Sequence, residues 1–263
     1  VHFIESGVGP PLVLLHAFPL DARMWSAARG KLENQARIIT PDQRGLGESP
    51  LTESDAPGDV AEPDLDSVAA DVLALLDVLD VPRAVVGGCS MGGYVAMALL
   101  RAAPERVSGL LLADTKCAAD DESQRATRLN VAERAEQDGT DGWLAESMLP
   151  NLLGETTRSQ RAEVVSRTRE LVETQPAAGV SWAQRAMAAR PDNASVLREF
   201  SGPSLVVVGQ EDWLSPVGDA DTMTELLPNA EQVVVPRTGH LSPLEDPDEF
   251  ARVVGDWLEI VAE

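Results

Sequence analysis

Two patterns of apolar and polar positions alternate along most of the chain. Short apolar runs bounded by turn residues occur at Leu12–Leu15, behind Pro10 and Pro11, and at Arg37–Thr40, ended by Pro41. Further runs lie at Arg83–Gly88, Val107–Ala113, Ser204–Val208 and Gln232–Val235. Their length and composition predict strands buried on both faces. Between Leu65 and Leu79 the period changes: Leu65, Val68, Val72, Leu75, Leu76 and Leu79 share one helical face, with Asp64, Asp66, Asp71 and Asp77 mostly off it. Helices are also predicted from Met91 to Ala103, stopping near Pro104, and over Pro247–Val261. Strands alternating with helices imply βαβ units and hence a parallel sheet.

The alternation breaks between residues 115 and 200. That stretch is rich in Ala, Arg and Glu and punctuated by Gly139, Pro150, Gly154, Pro176 and Pro191, which reads as a run of helices. The expected organisation is an α/β core of residues 1–114 and 201–263, with 115–200 as a helical insertion over the sheet. A length of 263 residues suits one such domain.

Composition narrows the partners. Forty-three acidic against 21 basic residues give a formal charge of −22, which argues against nucleic acid and anionic membranes, both bound through basic patches. Lys31 and Lys116 are the only lysines. No apolar run approaches a membrane span. Val1–Ile4 leads directly into strand-like sequence without a signal peptide, and the two cysteines, Cys89 and Cys117, form no CxxC pair. A cytoplasmic protein without a disulfide framework or zinc site is expected.

The strongest chemical signal is Gly88-Cys89-Ser90-Met91-Gly92-Gly93. It has the G-x-S-x-G form between a predicted strand and a predicted helix, the context that exposes a serine oxygen on a sharp turn above a sheet. Small residues at 88 and 92 let the strand and helix backbones nearly touch. A serine hydroxyl needs a neighbouring base. Of His2, His16 and His240, only His240 follows Ser90, as the chain order Ser, acid, His requires. Asp212, directly past the Ser204–Val208 strand, is the preferred acid, because catalytic groups gather at the strands' C-terminal edge. Asp114, past the preceding strand, could reach a similar place or cap the insertion's first turn, and Glu211 reads as solvated. For the oxyanion, one N–H is expected from Met91 and another from the loop His16-Ala17-Phe18-Pro19-Leu20. Pro19 has no N–H, so Phe18 is preferred over Ala17, with His16 supporting the loop. Cys89 reads as packing. The loop Asp42–Ser49 lacks the Walker lysine and G-x-G-x-x-G spacing, and reads as a structural turn.

Together, His16–Pro19, Pro41–Ser49, Gly88–Gly93, Gly209–Asp212 and Gly239-His240 resemble the α/β-hydrolase superfamily over essentially the whole chain. Within it the chain is similar to the group of 3-oxoadipate enol-lactonases, small carboxylesterases and cofactor-free haloperoxidases. The resemblance implies an α/β-hydrolase fold: a mostly parallel central sheet flanked by helices, with a four-helix cap inserted after the sixth strand. It also implies a Ser90–His240–Asp212 triad, oxyanion donors at Phe18 and Met91, and two-step acyl transfer on a small ester or lactone without metal or organic cofactor. Gln43 departs from the Tyr, Leu or Lys common in relatives and leaves the triad untouched. Ser90 counts against haloalkane dehalogenases and epoxide hydrolases, which need an aspartate there. C–C bond hydrolysis, perhydrolysis and thioester cleavage use the same machinery, and a slow-turnover small-molecule receptor is the rival from another class.

The expected pocket is mostly apolar. Its candidates are Trp143, Trp182, Met148, Met187 and Leu152 in the insertion, and Trp25 and Trp213 beside the catalytic groups in sequence. Arg125, Arg128 and Arg185 are candidates for its entrance. Neutral or singly charged esters and lactones are expected to be preferred over polyanionic acyl-CoA thioesters.

Overall fold

The apolar runs become a seven-stranded sheet. In the computed structural model, which describes residues 1–52 and 62–261, the strands are β1 (Phe3–Ser6), β2 (Pro11–Leu15), β3 (Arg37–Pro41), β4 (Ala84–Cys89), β5 (Val107–Ala113), β6 (Ser204–Gly209) and β7 (Ala230–Val235). Their order is β1-β3-β2-β4-β5-β6-β7. Only β1 runs antiparallel, against β3; every other pairing is parallel. Every residue of β4 and β6 is buried, as expected for strands covered on both faces.

Register brings the chemistry-bearing loops to one edge. Leu15 pairs with Gly88, Cys89 with Ala113, Ala113 with Val207, and Gly209 with Val235. The loops after β2, β4, β5, β6 and β7 therefore leave side by side at the strands' C-terminal ends, where α/β sheets place their ligands.

Helices cover the faces: α1 (Ser26–Leu32), α2 (Leu65–Val78) and α3 (Met91–Ala102). Helix α2 begins where the Asp64 carboxylate accepts from the Ser67 N–H at 2.6 Å, and it buries Leu65, Val68, Val72, Leu75 and Leu76, the face predicted from their spacing. Between β5 and β6 lie α4 (Glu122–Asp138), α5 (Leu144–Leu152), α6 (Glu155–Gln160), α7 (Ala162–Glu173), α8 (Ala177–Ala189) and α9 (Ala194–Glu199). By this chain's count they follow the fifth strand. The sixth-strand position implied by the resemblance is thus one too high as an ordinal, because only β1, β2, β3 and β4 precede β5 here. A capping box opens α4, where Asp121 accepts from the Gln124 N–H at 2.8 Å and Gln124 accepts from the Asp121 N–H at 3.2 Å. Asp121, and not Asp114, thus caps the first helix of the insertion. Only Ala132 and Ala135 of α4 are buried, so this helix keeps a polar surface as it packs along α8.

The chain closes with α10 (Val217–Leu226), α11 (Ser242–Glu245) and α12 (Pro247–Val261). Helix α12 packs along α1 and buries Phe250, Val254 and Trp257, and the Trp25 ring lies 5.9 Å from that of Phe250. Among the described residues no helix is long and apolar enough to cross a membrane.

Candidate active site

The turn between β4 and α3 forces Ser90 out of ordinary backbone space. Its φ of 53° and ψ of −113° put an L residue in a region that costs about 1–3 kcal/mol. The turn is held by the Ser90 N–H donating to the Ala113 carbonyl at 2.9 Å and by the Thr115 hydroxyl donating to the Ser90 carbonyl at 2.8 Å. A Cβ on Gly88 would lie 2.1 Å from the Gly92 backbone, and one on Gly92 would lie 2.1 Å from the Leu15 carbonyl oxygen. The two glycines are therefore required by backbone contact, as their spacing predicts.

Ser90 Oγ lies 2.7 Å from His240 Nε2. On the other side of the ring, His240 Nδ1 is 2.8 Å from Asp212 Oδ2 and 3.0 Å from Oδ1. Asp212 is oriented by the Leu214 and Ser215 N–H groups, which donate to its Oδ1 at 2.8 and 3.0 Å. Both His240 and Asp212 are buried. Burial alone pushes the imidazole pKa down, but the Asp212 carboxylate, by charge and hydrogen bond, overcomes it. Asp114 and Glu245 add to this, and the net direction is up.

The other acidic candidates do different work. Asp114 does not reach the imidazole. Its Oδ1 accepts from the Gly209 N–H at 2.8 Å, and its Oδ2 from the Ser242 N–H and hydroxyl at 2.9 and 2.6 Å. It thereby ties the loop carrying Asp212 to the segment following His240. Complete burial, then the charge of Asp212, push its pKa up. Glu211 is not simply solvated: it accepts from the Thr156 N–H and hydroxyl at 2.8 and 2.5 Å, joining its loop to α6. Glu245, which no sequence motif marks, is buried and accepts from the Gly239 and Leu241 N–H groups at 2.8 and 3.2 Å and from the Gly154 N–H at 3.0 Å. A lone Glu near a helix end carries no local signature of such a bracket around a histidine.

Cys89 is fully buried, its Sγ 3.8 Å from Asp114 Oδ2 and 3.7 Å from the His240 carbonyl, and burial pushes its thiol pKa well up. It is a packing residue, as expected. His16 supports the loop after β2: its Nδ1 lies 3.0 Å from the Ala17 carbonyl, and its Nε2 accepts from the Gln43 N–H at 2.8 Å. The Gln43 amide donates back to the His16 carbonyl at 2.6 Å, so the residue that departs from the family pattern braces the same loop. Asp42 closes its own turn, accepting from the Ala22 and Glu48 N–H groups at 2.8 and 2.9 Å.

A cavity of about 270 Å³ opens beside Ser90 and His240, with Phe18 at its wall. Met148, Leu152 and Met187 line it, as predicted. The four tryptophans do not. Trp25 is fully buried against Phe250; Trp143 packs its ring under Arg134, 4.0 Å from the guanidinium carbon; Trp182 lies under Arg44 at 5.8 Å; and Trp213 is 79% exposed. Closeness in sequence to the catalytic groups did not place Trp25 or Trp213 on the cavity wall, and in the insertion the rings of Trp143 and Trp182 are engaged by Arg134 and Arg44 instead. The wall is mostly apolar, as expected, with Lys116, Asp120, Gln124 and Arg128 among its polar residues. Of the three candidate arginines only Arg128 lines it; Arg185 is tied to Glu136 at 3.0 Å.

Comparison with known proteins accords with this architecture. The α/β-hydrolase fold family model matches residues 10–247. The 3-oxoadipate enol-lactonase 1 of Acinetobacter baylyi is 26% identical, over 96% of this chain and 90% of its own. The pimeloyl-[acyl-carrier protein] methyl ester esterase of Nitrosomonas europaea is 28% identical, over 95% of this chain and 96% of its own. Among solved structures, a thermophilic esterase from Thermogutta terrifontis with malate bound superposes with a TM-score of 0.94 at 37% identity, covering 100% of this chain and 94% of that one. With a serine on a strained strand–helix turn and a matching model spanning most of its length, the chain belongs to the α/β-hydrolase fold family.

Proposed function

We propose that the chain is a serine hydrolase that cleaves a small carboxylic ester or lactone by two-step acyl transfer. The observation that carries this reading is the continuous hydrogen-bonded path from Ser90 Oγ through His240 to Asp212, at 2.7 and 2.8 Å. Ser90 attacks the carbonyl carbon while His240 Nε2 takes its proton. The tetrahedral oxyanion is received by the N–H groups of Met91, at the start of α3, and Phe18. Phe18 is favoured over Ala17 because the Ala17 N–H is already engaged by Met24 Sδ at 3.1 Å. His240 returns the proton to the departing alkoxide, then activates water to release the acid. Helices α4 to α9 act as the cap that roofs the substrate. The names of the relatives, an enol-lactonase and two esterases, support an ester or lactone bond.

A panel of short-chain esters, lactones and acyl-CoA thioesters assayed on the purified protein tests the reading. Turnover of an ester or lactone above that of every thioester is expected. Acyl-CoA turnover exceeding all of them would replace the esterase by a thioesterase.

The pH profile follows from the base. Neutral His240 is the active form, and its pKa lies above the ordinary value of about 6.5, so kcat/KM should fall as pH drops through a midpoint above that value. A profile flat from pH 5 to 8 would exclude a histidine base.

A further inference from the structure

The wall of the cavity beside Ser90 carries a surplus of positive charge. Lys116 follows Thr115, whose hydroxyl holds the Ser90 carbonyl at 2.8 Å, so it enters from the same loop that braces the serine. Arg128 enters from α4, its Nη1 3.4 Å from Gln184 Oε1 and 3.3 Å from Met187 Sδ. Lys116, Arg128, Gln184 and Met187 all line the cavity. Among them sits Asp120, its side chain 1% exposed, paired with Arg128, with Arg190 at 2.7 Å and with Lys116 Nζ at 3.9 Å. Arg190 is buried behind Tyr94, with its guanidinium carbon 4.1 Å from the ring centroid. Three cations thus converge on one buried carboxylate; Asp219 reaches Lys116 only as a weaker charge contribution than Asp120.

Desolvated charge left partly unmatched is costly, and an anionic ligand in the cavity would complete the match with charge-assisted hydrogen bonds. The setting makes the surplus unusual: the chain carries a formal charge of −22 and has two lysines, one of which lines this cavity. Burial, then the neighbouring Arg190, push the Lys116 pKa down, which an arriving anion would reverse. The remaining wall includes Val131, Met148 and Leu152, surfaces suited to a short hydrocarbon spacer.

We infer that Lys116 and Arg128 receive a carboxylate of the substrate, remote from the bond cut at Ser90, so that the preferred substrates are half-esters or lactones of short dicarboxylic acids. This rests on the serine hydrolase reading above. A cavity of about 270 Å³ has room for a spacer of a few carbons.

The test compares monomethyl glutarate with the neutral analogue in which its free carboxylate is replaced by a carboxamide, following methanol release. The wild-type protein is expected to favour the anion in kcat/KM by at least about tenfold, carried mainly by KM. Lys116→Met and Arg128→Met should each draw that ratio toward one. Should either variant fail to fold, raising salt on the wild-type protein should narrow the ratio. A wild-type ratio of one or less, or a ratio unchanged in both variants and in salt, overturns the inference while leaving the hydrolase reading intact. If neither ester is cleaved, the panel of esters, lactones and thioesters decides the hydrolase reading separately. Calorimetric binding of the same two molecules to Ser90→Ala then decides the anion site: preferential binding of the anion supports it, and equal affinity overturns it.

Discussion

Ser90→Ala is expected to lower kcat for ester hydrolysis by at least about 10³-fold, while the unfolding temperature stays close to that of the parent. The first half follows from the Ser90 Oγ to His240 Nε2 contact at 2.7 Å, because without the oxygen the imidazole has no nucleophile to activate. The second half follows from what the side chain does not do. It makes no capping bond to α3, and alanine meets the same backbone strain at φ 53° as serine, so the turn loses little. Activity near that of the parent would remove Ser90 from the role. Cys89, its neighbour, could not easily replace it, since the thiol is fully buried and its pKa is pushed well up.

Exchanging the two aspartates for asparagine is expected to separate chemistry from scaffolding. In Asp212→Asn, the Leu214 and Ser215 N–H groups hold the remaining oxygen at the Oδ1 position. The new NH₂ therefore takes the Oδ2 position, 2.8 Å from His240 Nδ1, and donates to it. Nδ1 must then be the bare nitrogen and Nε2 the protonated one, which leaves nothing to accept the Ser90 proton. A fall in kcat of about 10⁴-fold is expected, as for a triad carboxylate elsewhere. Asp114→Asn places its NH₂ against a donor on either side, Gly209 or Ser242. That costs about 1–3 kcal/mol of stability, read in a urea titration, with kcat lowered by no more than about tenfold. The reverse ranking of kcat would move the catalytic acid to the loop after β5.

The local pattern of the chain was enough for the order of its elements. Periodicity at Leu65–Leu79, apolar runs such as Val107–Ala113 and the closing helix Pro247–Val261 depend on neighbours a few residues apart, and all three occupy the predicted places. The serine turn was legible for the same reason: Gly88 and Gly92 are a local steric requirement, written at fixed spacing around Ser90. His240 was legible by chain order.

The remaining decisions belong to side chains that meet across long stretches of chain. Asp212 and Asp114 both follow buried strands, and only the direction of each carboxylate distinguishes them: one toward the His240 ring, the other toward Gly209 and Ser242. Glu245 gains its bracket around His240 from the way α11 folds back, and nothing at that position announces it. The tryptophans illustrate the same limit, since a large apolar side chain is compatible with a pocket wall, a core or an exposed loop, and packing alone sent Trp25 to the core and Trp213 outward. Arg128 was a candidate for the entrance, but nothing in the sequence joins it to Lys116 and Arg190, and tertiary structure gathers all three on one buried Asp120. Periodicity and backbone sterics act between near neighbours and are written in the sequence, whereas burial and charge act through space, so that what the cavity can hold was decided only by which side chains of the helices between β5 and β6 came to line it beside Ser90 and His240.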